Sequence, residues 1–409
     1  MDIEGTVTTL VLAAFVGTQG MYLIGALVID WLLVFGARST VETPADDRSE
    51  PMTVLVTLYQ EPRSVVVETL SSLADQAYDL SAVRVVLVYE ADDTVVTEYV
   101  DGIVAADTEP WDLRTFAVER GNQALLDRMT VDWPMDQTET IPRTKAFALA
   151  SAYYSLDFGD DEIVTVFDAD TLVAPDLFAL AVAGLEEYDI VQAKQTVRNI
   201  DDGIIPKLEA MGMAAWSGVV YPRTAKGPYQ LLGKGYFLRG RTLKRTRGWQ
   251  PDEVTEDMAF GVTAYKRGLT LGVLDSYVQD LCPAGIGPWV RQKRRWLGGP
   301  YRALGNQPLS RFDQARLVGV TMVNQAVSLT TLLGLPAGIV VSVLVANSGP
   351  LSFPLWFTAV LLVNLLNWVA YSLLGYRETF AALAFDSRWQ KAEFFLVSNP
   401  LTQSVYACL

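Results

Sequence analysis

The sequence contains no histidine. That absence removes imidazole acid–base chemistry, the serine-protease type of triad and most zinc sites. Cysteine is nearly missing too. Cys282 and Cys408 are the two present, far apart and without metal-type spacing, so no disulfide framework is implied and both read as small buried apolar groups. Positive charge is the minority sign: 32 Lys and Arg stand against 47 Asp and Glu, for a net charge of −15. An acidic surface of this kind repels phosphate backbones and argues against nucleic acid as a partner. The acids gather in Glu42 to Glu50 and Asp157 to Glu162. They read either as a hydrated, solubilising surface or as adaptation to a salt-rich cytoplasm. Internal repeats and low-complexity tracts are also lacking.

What is plentiful is apolar. Hydrophobic residues make up 50% of the chain and charged ones 19%, a balance that suits a mixed membrane and soluble design. Val7 to Phe35 holds no Lys or Arg and exceeds the roughly 20 residues needed to cross a bilayer. With no basic region before it and no small-residue cleavage site after it, it reads as a retained transmembrane helix. Leu317 to Ala346 and Phe353 to Gly375 are further expected spans. Ala392 to Leu409 is apolar but interrupted by Asn399 and Pro400; it is read as a re-entrant segment or as the end of a chain shorter than its natural parent. Arg291, Lys293, Arg294, Arg295, Arg302, Arg311 and Arg316 crowd the approach to the second span, and such an excess marks the cytoplasmic side. The expectation is a multi-pass protein of the cell membrane with a cytoplasmic middle domain. Its divisions are 1–44 (first span and linker), 45–305 (soluble domain) and 306–409 (two to three spans).

The middle domain alternates strand and helix patterns. Met52 to Tyr59, Val83 to Tyr89 and Ile163 to Phe167 are strand-like runs; Ser64 to Gln76 and Ala146 to Leu156 have helical spacing. This pattern predicts a mainly parallel sheet covered by helices on both faces. Ligands of such sheets bind beyond the carboxyl ends of the strands.

Polar clusters stand at those ends. Tyr59-Gln60-Glu61-Pro62 follows the first strand and Glu90-Ala91-Asp92-Asp93 the second. Each alone suits an ordinary turn; side by side, they suit the base and ribose of a nucleotide. Asp168 and Asp170 end the third strand, and in an extended segment residues two apart point the same way. Two like charges so close are costly unless a cation lies beside them. Hard oxygen ligands select Mg²⁺ or Mn²⁺, which keep waters and take phosphate oxygens as further ligands. Thr255-Glu256-Asp257 opens a helical pattern, where Thr255 also suits an N-cap and the acids suit the helix dipole. On a helix from Pro288 to Gly299, Gln292, Arg295 and Trp296 share a face. That helix reads as a basic, Trp-anchored segment on the membrane surface, as donors for a diphosphate with an aromatic plate for a sugar, or as both.

Tyr59-Gln60-Glu61, Thr144-Lys145-Ala146, Asp168-Ala169-Asp170, Thr255-Glu256-Asp257 and Gln292-Lys293-Arg294-Arg295-Trp296, in this order, resemble glycosyltransferase family 2. Within it they resemble the membrane-integrated branch containing cellulose and hyaluronan synthases. The resemblance implies an α/β GT-A-like nucleotide-sugar domain inserted between transmembrane α-helices, and an inverting displacement at the anomeric carbon. It implies that Tyr59, Glu61 and Asp92 face the nucleoside and that Lys145 contacts the nucleotide or its phosphates. Asp170 would ligate Mg²⁺ or Mn²⁺, with Asp168 supporting the diphosphate side of the metal. Asp257 would be the general base, Gln292 and Arg295 would hold the diphosphate, and Trp296 would stack on the acceptor sugar. The implied donor is a nucleotide-sugar, most commonly a UDP-sugar. The implied acceptor is a growing polysaccharide or, alternatively, a polyprenyl-phosphate or other lipid. A non-catalytic nucleotide-sugar-binding membrane protein is a third class, against which the full set of carboxylates speaks. Two departures stand out: Gln60 occupies a position where the family more often has Asn or Asp, and the membrane segments are fewer than polymer-secreting synthases usually have.

Overall fold

A computed structural model describes residues 3–35, 38–46, 49–129, 141, 143–306, 309–348 and 354–406. Nine strands form one mixed sheet: β1 (Thr40–Val41), β2 (Met52–Leu58), β3 (Val83–Glu90), β4 (Asp112–Val118), β5 (Ile163–Asp168), β6 (Leu172–Val173), β7 (Ile190–Val197), β8 (Tyr236–Arg239) and β9 (Leu271–Asp280). Their order is β1-β9-β7-β8-β5-β2-β3-β4, with β6 pairing β9 off this path. The pairings make every strand parallel except β8 and β6. The carboxyl ends of β2, β3, β5 and β9 therefore open on one edge of the sheet.

Alternation along the strands builds a core on each face. Val54, Val56, Val85 and Leu87 point to one side. There they meet α2 (Arg63–Ala74) through Val66, Leu70 and Leu73, and α7 (Leu177–Glu187) through Leu177, Leu180 and Leu185. Leu55, Val86 and Val88 point to the other, against Phe147 and Leu149 of α6 (Lys145–Ser155) and Phe260 and Ala264 of α10 (Glu256–Lys266). Short helices α3 (Thr94–Thr97), α4 (Val100–Ala106) and α5 (Gln123–Leu126) flank β4, while α8 (Ile204–Ala215) and α9 (Gly240–Thr246) precede and follow β8. The three strands and two helices expected in the middle domain lie within two residues of β2, β3, β5, α2 and α6.

Among the described residues, two helices are long and apolar enough to cross a membrane, by length and composition: Val7–Phe35 within α1 (Ile3–Phe35), and α13 (Leu355–Ala382). The span expected at Leu317 to Ala346 is helical within α12 (Arg311–Ser348). Its apolar stretch, however, is the shorter Leu332–Asn347, because Asn324, Gln325, Ser328, Thr330 and Thr331 dilute the part before it. The last apolar segment is interrupted where Asn399 and Pro400 stand, as expected, and its residues 407–409 lie outside the described ones. It divides into α14 (Arg388–Val397) and α15 (Pro400–Tyr406), each far short of about 20 residues. Asn399 makes the break, its Oδ1 accepting the Leu401 and Thr402 N–H groups at 2.9 and 3.1 Å. Both short helices fold back on α8. Cys282 is a free, buried thiol as expected; Cys408 lies outside the described residues.

Candidate active site

The crevice begins at β5. Thr144 caps α6, its Oγ1 accepting the Phe147 N–H at 3.1 Å, which places Lys145 in the first turn, facing the end of β5. The Lys145 ammonium donates to Asp168 and, at 2.7 Å, to the Gly233 carbonyl; Glu256 lies 3.9 Å from it. Lys234 reaches the same region from the opposite side, 3.5 Å from Asp168 and 2.7 Å from Asp280. Gly233 and Gly235 around it both have positive φ, 84° and 64°. A Cβ on Gly233 would sit 3.2 Å from Asp257 Oδ2, and one on Gly235 would crowd Val278 and Ala193 at 3.1 and 3.2 Å. Left-handed backbone without side chains is what lets Lys234 pass between them.

Burial alone would raise Asp168, but Lys145 and Lys234 outweigh it and hold that carboxyl at about 2. Asp170 behaves in the opposite way. Burial raises it to about 6, and the charges of Asp280 and Asp168 add to the rise; the Leu281 N–H, 3.2 Å away, opposes it. The short β6–β9 pairing brings Asp280 beside it, steadied by the Thr171 hydroxyl at 2.7 Å. Asp168 is thus committed to two lysines and Asp280 to Lys234 and the Thr171 hydroxyl, while Asp170 pairs with no cation among the described residues and has oxygen capacity to spare. Hard carboxylate oxygens of this kind fit Mg²⁺ or Mn²⁺. Among the described residues no three acidic or thiol groups gather as a metal cage.

At the head of α10, Thr255 occupies the N-cap position but its side chain makes no capping bond. Asp257 is half-buried beside Gly233; Glu256 is buried behind it. Burial, first, pushes Asp257 above the usual carboxylate range, against the Met258 N–H and Lys145. Glu256 is pushed to about 8 by burial and by Asp257.

Glu61 belongs to the same crevice. Burial raises it to about 7, Asp170 and Asp168 adding to the rise and backbone N–H groups opposing it. The turn that delivers it is strained: Gln60 has φ 61°, and its N–H donates to Asp93 Oδ2 at 2.7 Å. Tyr59 beside it is 49% exposed. Asp92 stands apart from the acids of β5, ion-paired to Arg120 at 2.7 Å and to Arg143.

The helix α11 (Ile286–Asn306) packs on α10, so Gln292, Arg295 and Trp296 lie one helix away from Asp257. Gln292 and Trp296 are half-buried and Arg295 is exposed. The cation over the Trp296 ring is Lys293, 4.2 Å from its centroid, rather than the arginine that the sequence put on its face. At 100° per residue, position 293 lies 60° from 296, closer than the adjacent residue.

The family model described as glycosyl transferase family group 2 matches residues 163–373, just over half of the 409 residues. The chain belongs to that family. A beta-monoglucosyldiacylglycerol synthase of Trichormus variabilis is 27% identical over 146 residues, 34% of this chain and 31% of the relative. A probable glucomannan 4-beta-mannosyltransferase 14 of Arabidopsis thaliana is 28% identical over 145 residues, 34% of this chain and 27% of the relative. The match thus spans about a third of the length of these curated relatives. Among solved structures, the mannosyltransferase PcManGT from Pyrobaculum calidifontis, in complex with GDP-Man and Mn²⁺, superposes with a TM-score of 0.55 at 18% identity over 98% of both chains. The fold is therefore the GT-A-like mixed α/β sheet of glycosyltransferases.

Sequence reasoning missed Lys234, Asp280 and the buried role of Glu256. Lys234 had a signal: a lysine between two glycines directly before an apolar run. Asp280 ends β9 just as Asp168 ends β5, but Asp275, Ser276 and Gln279 interrupt the apolar run before it and hide the strand.

Proposed function

We propose that this chain is a membrane-bound, inverting, metal-dependent glycosyltransferase that elongates a polysaccharide from a nucleoside-diphosphate-sugar on the cytoplasmic face. The observation that carries the reading is the meeting of Asp168, Asp170 and Asp257 with Lys145 in one crevice, next to the α11 helix. α1 and α13, of whose apolar windows only 11% is buried, would anchor it, since exposed apolar surface on that scale calls for lipid.

In this reading the acceptor hydroxyl attacks the anomeric carbon from the side opposite the diphosphate. Its proton passes to Asp257, whose raised pKa suits a base working near neutral pH. The bond from the anomeric carbon to the diphosphate oxygen breaks, and the electron pair leaves with the nucleoside diphosphate. Lys145 and Arg295, with Gln292, would bind the charge that develops there. Asp170, beside Asp280, would hold Mg²⁺ or Mn²⁺, which supplies charge neutralisation to the leaving group when bound. Glu61, Tyr59 and Asp92 would face the nucleoside, and Trp296 the acceptor sugar. The donor expected from the resemblance is a UDP-sugar; the GDP-Man held by the structural neighbour makes GDP-sugars the second donor class to try.

A second reading, single-sugar transfer to a lipid acceptor, is favoured by the lipid named in the first relative. Protein purified in detergent, supplied with Mn²⁺ or Mg²⁺ and a panel of UDP- and GDP-sugars, should release nucleoside diphosphate. Turnover by Asp257→Asn equal to wild type would sink the mechanism. A product of one sugar on lipid, instead of a chain, would select the second reading.

A further inference from the structure

Glu209, on α8, takes no part in the steps above, yet it is a charge buried to 4% exposure. Its carboxylate accepts three donors: Trp289 Nε1 at 3.0 Å, the Lys293 ammonium and the Tyr406 hydroxyl. Burial alone would raise it, but Lys293, the Tyr406 hydroxyl and the Trp289 N–H together hold it below the usual range, so it is ionised. Two of these partners lie one turn apart on α11, and the third comes from α15. Lys293 also lies over the rings of Trp296, at 4.2 Å, and Trp289, at 5.9 Å. Positions 289, 292, 293 and 296 share one helical face. The carboxylate therefore grips the same face that presents Gln292 and Trp296.

An apolar residue would pack between these aromatic rings without the desolvation cost of a buried ion pair, which is weak as a source of stability. What a charge adds is direction: it admits one rotation of α11 and one place for Lys293. We propose that Glu209 is a positioning residue that, through Lys293 and Trp289, fixes the Trp296 ring where the acceptor binds. Tyr406 ties the C-terminal α15 into the same carboxylate. The inference rests on Trp296 being the acceptor plate of the proposed reaction.

The test uses the full chain in detergent with Mn²⁺, UDP-glucose and GDP-mannose as donors, and cellotetraose, mannotetraose and dolichyl phosphate as acceptors. For the pair that wild type turns over, Glu209→Gln should raise the acceptor KM about tenfold, the scale of one charge-assisted hydrogen bond. Donor KM and acceptor-free donor hydrolysis should change less than acceptor KM: Gln292 shares the gripped face, but Lys145 and the carboxylates at the end of β5 hold the donor independently of α11. Tyr406→Phe, which removes one hydrogen bond, should move the acceptor KM the same way by less; it decides the matter if Glu209→Gln does not fold. A substrate-free readout accompanies the kinetics: the emission contributed by Trp296, taken as the difference from the matching Trp296→Phe protein, should shift in Glu209→Gln. Equal rises in donor and acceptor KM, unchanged kinetics in both variants, or unchanged Trp296 emission would each overturn the proposal. Should wild type release no nucleoside diphosphate from any donor, the glycosyltransfer reading fails by itself, while the emission still decides whether Glu209 places Trp296.

Discussion

Asp168 and Asp257 face one crevice but meet opposite surroundings. At the end of β5, Asp168 is flanked by Lys145 and Lys234, whose charges outweigh its burial and keep it ionised at about 2. At the head of α10, Asp257 has burial as its dominant influence, and the Met258 N–H and Lys145 oppose it without overturning it. The same residue type is thereby given two capacities. One carboxylate is a permanent negative charge that organises cations; the other is ready to accept a proton. Pairs of groups whose environments push their pKa values apart are where acid–base roles separate.

The strongest way to break the comparison is to neutralise each side in turn. Asp257→Asn should lower kcat by about 10²–10⁴-fold, the usual size of general-base catalysis. Nucleoside diphosphate binding, followed by titration calorimetry, should persist. A variant that loses binding as much as turnover would show Asp257 holding the donor instead. The next effect concerns the metal. A chelator should abolish turnover, and Mn²⁺ or Mg²⁺ should restore it. The metal concentration for half-maximal activity should rise by at least about tenfold in Asp170→Asn, the scale seen when metal sites lose supporting groups. Asp168→Asn and Asp280→Asn should shift it less, because those carboxylates are spent on lysines. A larger shift in Asp168→Asn than in Asp170→Asn would reverse the assignment.

Both sides of this comparison were partly legible in the sequence. Asp168, Asp170 and Asp257 stood out because each follows or opens an apolar run, and strand periodicity alone puts 168 and 170 on one side. Invisible there was the partner that makes them differ. Lys234 is separated from Asp168 by 66 positions (234 − 168), and only the antiparallel β5–β8 pairing brings the loop before β8 against the end of β5. Asp280 likewise depends on β6 folding onto β9. Local pattern finds residues at element ends, whereas long-range pairing decides which charges they meet. The membrane part shows the same limit. Hydropathy marked α1 and α13 as long apolar helices, and Asn399 marked the break between α14 and α15, but nothing local showed that these two helices fold back on α8.

The pH profile sharpens the contrast without removing either acid. Asp257 must be deprotonated to act as base, so kcat should rise with pH and level off, with the acid limb above the ordinary carboxylate range. Lys145 opposes that rise. Lys145→Met removes the opposing charge, so Asp257 should hold its proton longer and the limb should move to higher pH. Glu256→Gln should leave the limb in place, because Glu256, with its pKa at about 8, already carries its proton there. A limb that moved down in Lys145→Met would separate it from Asp257.

The smallest expected effect lies at the nucleoside side, in the turn that aims Glu61. Gln60 holds a positive φ of 61°, where an L side chain meets its own carbonyl at a cost of roughly 1–2 kcal/mol, and Asn or Asp is tolerated better. Asn or Asp at this position would relieve that strain for a backbone reason independent of any ligand contact. The Gln60 bond to Asp93 Oδ2 uses only the main-chain N–H, so it survives substitution. Gln60→Asn should therefore stabilise the protein slightly, by under about 1 kcal/mol, seen as a small rise in unfolding midpoint. Donor KM should stay within about twofold if the side chain at this position makes no contact with the nucleoside. A donor KM raised tenfold in a more stable protein would mean that Gln60 reads the donor directly, and that its strained backbone is kept for that contact.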